Sequence, residues 1–85
     1  MKYKLKTLLK AEKALEKIEP IFAKKIRDKI KSLGDDPRQN GCKKLSGFEK
    51  SYRVRVGKYR VIYEIYDDEI LICVVNVDHR KDVYR

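Results

Sequence analysis

The sequence predicts an α+β fold: two N-terminal helices packed on an antiparallel β-sheet of three to four strands. Three observations carry this reading. Apolar residues recur at helical spacing up to Leu33, they alternate with mostly polar ones from Tyr52 to Ile65, and a stretch rich in turn formers separates the two regimes. Tyr3 to Lys6 reads as a short first strand, and Thr7 as the N-cap of a helix with Leu8, Ala11, Leu15 and Ile18 on one stripe. Glu19-Pro20 interrupts that helix. Proline suits a first turn, so a second helix is expected from there, with Phe22, Ile26, Ile30 and Leu33 inward and Lys24, Lys25, Lys29 and Lys31 largely outside. Gly34 is placed as its C-terminal cap, and Asp35 to Gly41, with Pro37, as a loop.

Beyond the loop, Tyr52, Val54 and Val56 point one way and Arg53 and Arg55 the other. After Gly57-Lys58, Tyr59, Val61, Tyr63 and Ile65 alternate with Arg60, Ile62 and Glu64. A two-residue loop with glycine first predicts a type II′ hairpin, with Val56 opposite Tyr59 and Arg55 opposite Arg60. Asp67-Asp68 turns the chain into Ile70 to Val77, apolar on both faces, whose polar continuation carries His79 and Arg80 to a sheet edge. Tyr52, Tyr59 and Tyr63 are expected on the core side. Residues 1–85 are read as a single domain, without internal repeat or linker.

Composition narrows the function. Hydrophobic residues make up 42% of the chain, enough for a globular fold. No apolar run approaches the roughly 20 residues of a membrane span, so no membrane partner is expected. The basic start, Met1 to Lys6, lacks the apolar continuation of a signal peptide, which places the expected location in the cytoplasm. Cys42 and Cys73 fit neither a CxxC site nor a disulfide scaffold and read as free thiols, Cys73 in the core. The net charge of +9 points to a polyanionic partner.

The kind of base matters more than the total. Up to Leu33 there are 11 basic and 4 acidic residues, and Arg27 is the one arginine among those bases. From Ser51 onward arginine dominates, at Arg53, Arg55, Arg60, Arg80 and Arg85. Lysine on a helix exterior reads most simply as a solvated face, whereas the planar fork of arginine matches phosphate oxygens bidentately. The expected hairpin register sets Arg53, Arg55 and Arg60 on one face with Arg55 and Arg60 directly cross-strand, an arrangement that costs folding energy. That face is either an exposed strand surface of a basic protein or a surface that accepts a phosphodiester, whose charge offsets the repulsion. Tyr84 is either a packed tail anchor or a ring able to stack on a base and exchange a proton. His79 has no partner at metal-ligand spacing and reads as a structural or a proton-transfer histidine; no metal or other cofactor is expected.

Leu45-Ser46-Gly47, the run from Tyr52-Arg53-Val54-Arg55-Val56-Gly57-Lys58-Tyr59-Arg60 through Val61-Ile62-Tyr63-Glu64-Ile65, His79-Arg80 and Val83-Tyr84 together resemble the RelE branch of the RelE/ParE toxin superfamily, over essentially the whole chain. The resemblance implies the toxin of a type II toxin–antitoxin pair, an endoribonuclease that enters the ribosomal A site and cuts the mRNA codon there. In that chemistry the ribose 2′-hydroxyl attacks the adjacent phosphate without a metal. It further implies that Arg60 stabilises the phosphate, Arg80 assists the leaving group and Tyr84 is the C-terminal catalytic tyrosine. Lys44, Lys50 and Lys58 are expected to contribute RNA-binding charge, and a cognate antitoxin to cover the cationic face.

Two positions depart from the family pattern. Arg53 and Arg55 stand where well-known members have lysine, and a guanidinium keeps its proton, so they can stabilise charge but not act as base. The base is then Tyr84, favoured by its position, or His79, or a ribosomal RNA group. Asp78 stands where relatives commonly have glycine, and its carboxylate is expected to orient His79 or pair with Arg80. Two other readings remain open: a ParE-like inhibitor of DNA gyrase on the same fold, and an RNA- or ribosome-binding module that does not cut.

Overall fold

A computed structural model describes residues 2–79. Arg80 and Tyr84, both singled out above, lie outside the described residues. The order is β1 (Lys4–Thr7), α1 (Leu9–Glu16), α2 (Pro20–Leu33), β2 (Lys43–Lys44), β3 (Ser51–Val56), β4 (Tyr59–Tyr66), a 3-10 turn (Asp67–Glu69) and β5 (Leu71–His79). The strands form one sheet in the order β1-β5-β4-β3-β2. Two helices on a sheet confirm the α+β reading, but the sheet has five strands and is mixed, because β1 runs parallel to β5. The fifth strand is β2, whose two lysines pair with Arg53 and Tyr52 and carry no alternation that a sequence could show.

The first helix begins differently from expectation. Thr7 ends β1 opposite Val74, and Leu8 holds the N-cap position with no side-chain cap. Its amide donates instead to the Val74 carbonyl at 2.9 Å, while its own carbonyl accepts from Glu12. That bond ties the start of the helix to β5, and no side chain caps its first-turn amides. Ala11 and Leu15 are buried as the stripe requires. In α2, Pro20 opens the helix and Ile26, Ile30 and Leu33 are buried, while Phe22 remains 40% exposed against the Tyr59 ring at 6.1 Å between centroids. Gly34 is the C-cap in a right-handed conformation, and its carbonyl accepts the amides of Lys2 and Tyr3, which fixes the approach to β1.

The hairpin has the expected register, with Val56 opposite Tyr59 and Arg55 opposite Arg60. Gly57 adopts φ 58°, and Ile70 is the one non-glycine with positive φ among the described residues, so Lys58 is not left-handed and the turn is type II′. Val54, Val61, Tyr63, Ile65, Ile72, Val74 and Val77 form the inner face and pack with the buried helix residues. A bulge interrupts β5: Ile62 pairs with Asn76 and Tyr63 with Val74, leaving Val75 as the extra residue.

The loop after α2 is pinned at several points. The buried Tyr63 hydroxyl donates to the Pro37 carbonyl at 2.7 Å, and burial pushes that phenol upward. Arg38 spans to the turn between β4 and β5, its two terminal nitrogens on the two Asp67 oxygens at 3.3 and 2.8 Å. Tyr3 donates to the same carboxylate at 2.7 Å. Cys42 is half-buried and Cys73 buried, both as free thiols. Among the described residues no helix is long and apolar enough to cross a membrane.

Two consequences can be measured. Arg38 above all, then Tyr3, holds the Asp67 carboxyl below the usual range, so its stabilising contribution is present above the unfolded value near about 4 and is lost as pH falls through the lower folded value. The urea midpoint of the wild type should therefore exceed that of Asp67→Asn at neutral pH, with the gap closing below about pH 4. A gap constant down to about pH 2 would contradict this. Ile70 is a β-branched residue at φ 52°, and 52% exposed. Ile70→Asn, which tolerates that backbone, should raise unfolding free energy by about 1 kcal/mol at an unchanged denaturant slope.

Candidate functional site

Alternation on a paired sheet decides which side chains can act together. Helices cover the inner face, and on the opposite face the register sets Arg55 beside Arg60 on β4, then Asp78 beside Arg60 on β5. One row further lie Arg53, Ile62 and Asn76, with Lys43 beyond Arg53 at the sheet margin. Three arginines of two strands thus share one surface, as the spacing predicts.

Their environments differ. Arg55 is exposed and Arg53 half-buried. The Arg60 side chain is only 19% exposed, and its Nε is buried without a hydrogen-bond partner. Its Nη2 lies 3.7 Å from Asp78 Oδ2, an ion-pair distance too long for a hydrogen bond. The other oxygen, Asp78 Oδ1, accepts from Asn76 Nδ2 at 2.7 Å. Asp78 therefore faces Arg60, one of the two cross-strand partners between which that arginine sits. Glu64 stands at the far end of the face, opposite Ser51 and Cys73, and accepts the Tyr66 hydroxyl at 2.8 Å.

The remaining sequence-derived positions separate. His79 ends β5 opposite Tyr59, on the helix side of the sheet, with its ring edge-on to that tyrosine at 5.4 Å between centroids. It is thus on the face opposite to Arg60. Lys58 sits in the hairpin turn, exposed and next to the arginine pair. Lys44 pairs with Tyr52, so alternation assigns Lys43, which the sequence reading passed over, to the arginine face instead. Lys50 lies at the other end of the sheet, its Nζ 4.8 Å above the Tyr66 ring.

A cleft of about 200 Å³ opens near Lys50 and is also lined by Arg38, Tyr52, Tyr66 and Asp67. Two of its charges, Arg38 and Asp67, pair with each other, and Arg38 Nε also donates to the Tyr52 hydroxyl at 3.3 Å. On the arginine face, the central row of the described residues is Arg55, Arg60 and Asp78. Among the described residues no group of His, Cys, Asp and Glu is arranged to hold a metal ion. Chemically, the face can bind a phosphate and stabilise negative charge growing on its oxygens.

Comparison with known proteins agrees with the fold and the motifs. A family described as ParE toxin of type II toxin-antitoxin system, parDE, matches residues 5–84. Toxin RelG of Mycobacterium tuberculosis is 29% identical over 86 residues, covering 100% of this chain and 99% of that protein. The archaeal RelE-RelB complex from Pyrococcus horikoshii OT3 contains a chain that superposes with a TM-score of 0.82 at 27% identity, over 94% of this chain and 97% of that one. The RelB-RelE complex from Methanococcus jannaschii gives 0.76 at 28% identity, over 93% and 94%. With the hairpin motif, the sheet order and these matches spanning nearly its whole length, the chain belongs to the RelE family of type II toxin–antitoxin toxins.

Proposed function

We propose that this toxin is a ribosome-dependent mRNA endoribonuclease that cuts the A-site codon and so stops translation. The observation that carries the reading is the arginine face of the hairpin, with Arg60 recessed between Arg55 and Asp78. In the reaction a base removes the proton of a ribose 2′-hydroxyl and that oxygen attacks the adjacent phosphorus. The bond to the 5′-oxygen breaks as that oxygen takes up a proton, leaving a 2′,3′-cyclic phosphate and a 5′-hydroxyl. Atoms and protons balance without a co-reactant.

Arg60, with Arg53 and Arg55, stabilises the charge that grows on the non-bridging oxygens. None of the three can serve as base. Tyr84 is assigned the proton transfer and Arg80 the leaving group. His79 is the less favoured base because its ring packs on Tyr59, on the other side of the sheet. A site strong in cations and poor in acid–base groups suits a reaction that relies on orientation, supplied when the ribosome holds the mRNA in place.

Lys58 extends the cationic surface at the turn, and the lysines of α2 offer unspecific contacts to ribosomal RNA. The cognate partner is an antitoxin with an acidic or amphipathic segment able to cover the arginine face, in keeping with the neighbours described as RelB-RelE complexes. The matching family bears the ParE name, which keeps a second reading, ParE-like inhibition of DNA gyrase, and a supercoiling assay distinguishes it.

Purified toxin added to a programmed translation complex should cleave the mRNA within the A-site codon and leave a cyclic phosphate, while free RNA is cut poorly. Intact mRNA with folded protein overturns the proposal. Arg60→Ala should lower kcat about 100-fold or more, and Lys29→Ala less than about threefold. Equal losses would show that only bulk charge matters. Proton transfer is tested by pH profiles: Tyr84→Phe should flatten the profile of kcat, whereas flattening in His79→Gln alone would move the role to the histidine.

A further inference from the structure

Arg60 is largely enclosed, its side chain 19% exposed, and the residues around it do not fit a purely structural ion pair. Its buried Nε has no acceptor, and its charged end meets Asp78 at 3.7 Å, beyond hydrogen-bond reach. A pair selected for stability would close to a bidentate contact, as Arg38 and Asp67 do at the other end of the sheet. Asp78 is instead held back. Asn76, two residues earlier on the same face of β5, donates to its Oδ1 at 2.7 Å, so one carboxylate oxygen is committed sideways.

The consequence is a guanidinium kept in place by attraction without being saturated by hydrogen bonds. On its other flank lies Arg55, a like charge, so the attraction that aligns the guanidinium comes from Asp78. An incoming phosphate finds Arg60 already oriented but must compete with the carboxylate for it.

We infer that Asp78, braced by Asn76, is a positioning residue that holds the Arg60 guanidinium in the geometry that receives the scissile phosphate, at the cost of weaker ground-state binding of that phosphate. The inference rests on the ribonuclease reading for its kinetic consequence, though not for its structural one. Asp78 touches no reacting atom; it acts through Arg60.

The test has two arms. In the free protein, the Nε–Hε resonance of Arg60 should shift and broaden in Asp78→Asn and, more weakly, in Asn76→Ala, which leaves both charges in place. It should not move in Asp68→Asn, which makes the same charge change at the exposed turn before β5. In the programmed translation complex, Asp78→Asn should lower kcat about tenfold and lower KM about threefold, and Asp78→Glu should restore most of kcat. Asp68→Asn should change neither. An Arg60 resonance in Asp78→Asn identical to that of the wild type overturns the inference, as do equal effects of Asp78→Asn and Asp68→Asn. If the wild type leaves mRNA intact, the ribonuclease reading fails, and the resonance arm alone decides whether Asp78 positions Arg60.

Discussion

The register of the β3–β4 hairpin is the constraint on which the rest of the molecule depends. With Val56 opposite Tyr59, every second residue of both strands faces the helices and every other one the arginine surface. Sliding β3 by one position against β4 would carry Arg53 and Arg55 inward and Val54 and Val56 outward, while Arg60 stayed on the opposite face. The turn at Gly57-Lys58 prevents this, because two residues in a type II′ geometry permit one alignment and glycine meets the positive φ at no steric cost. Burial of the inner residues then compels the cations together on the outer face. Packing energy in the core thus offsets their mutual repulsion.

The ends of the sheet divide the charged residues by use. Near the 3-10 turn, Arg38, Asp67, Tyr3 and Tyr52 bond to one another and tie the loop after α2 to the strands. Near the hairpin turn, Arg55, Arg60 and Asp78 share one row, and the buried Arg60 Nε has no hydrogen-bond partner. Both ends contain arginine, tyrosine and aspartate, so the distinction lies in saturation and not in composition. The same contrast separates a clamp within the protein from a surface suited to an external polyanion.

Most of the architecture was legible because it is local. The helix stripes, the hairpin, its register and the shared face of three arginines all follow from spacing within a few residues. What escaped depends on contacts distant in the chain. Lys4–Thr7 carries no sign that it will lie parallel to a strand 67 residues later. Thr7 has the residue type of a cap, yet its pairing with Val74 draws it into β1 and the helix starts one position further on. Asp78 was weighed against its neighbours His79 and Arg80, whereas its described partners are Arg60 across the strand and Asn76. Lys43 could be distinguished from Lys44 only once β2 was known to pair with β3.

The bulge at Val75 has an effect out of proportion to its size. Ile72 and Val74 face the core, and uninterrupted alternation would send Asn76 and Asp78 after them while turning Val77 outward. One surplus residue reverses the phase of the strand, so a single element lays apolar residues beneath the helices first and then offers an amide and a carboxylate to the opposite surface. The run Leu71-Ile72-Cys73-Val74-Val75 conceals that reversal, because all five residues are apolar. Length in β5 is therefore as strictly specified as identity: a deletion there would invert the polarity of everything downstream in the strand, including the counter-ion of Arg60.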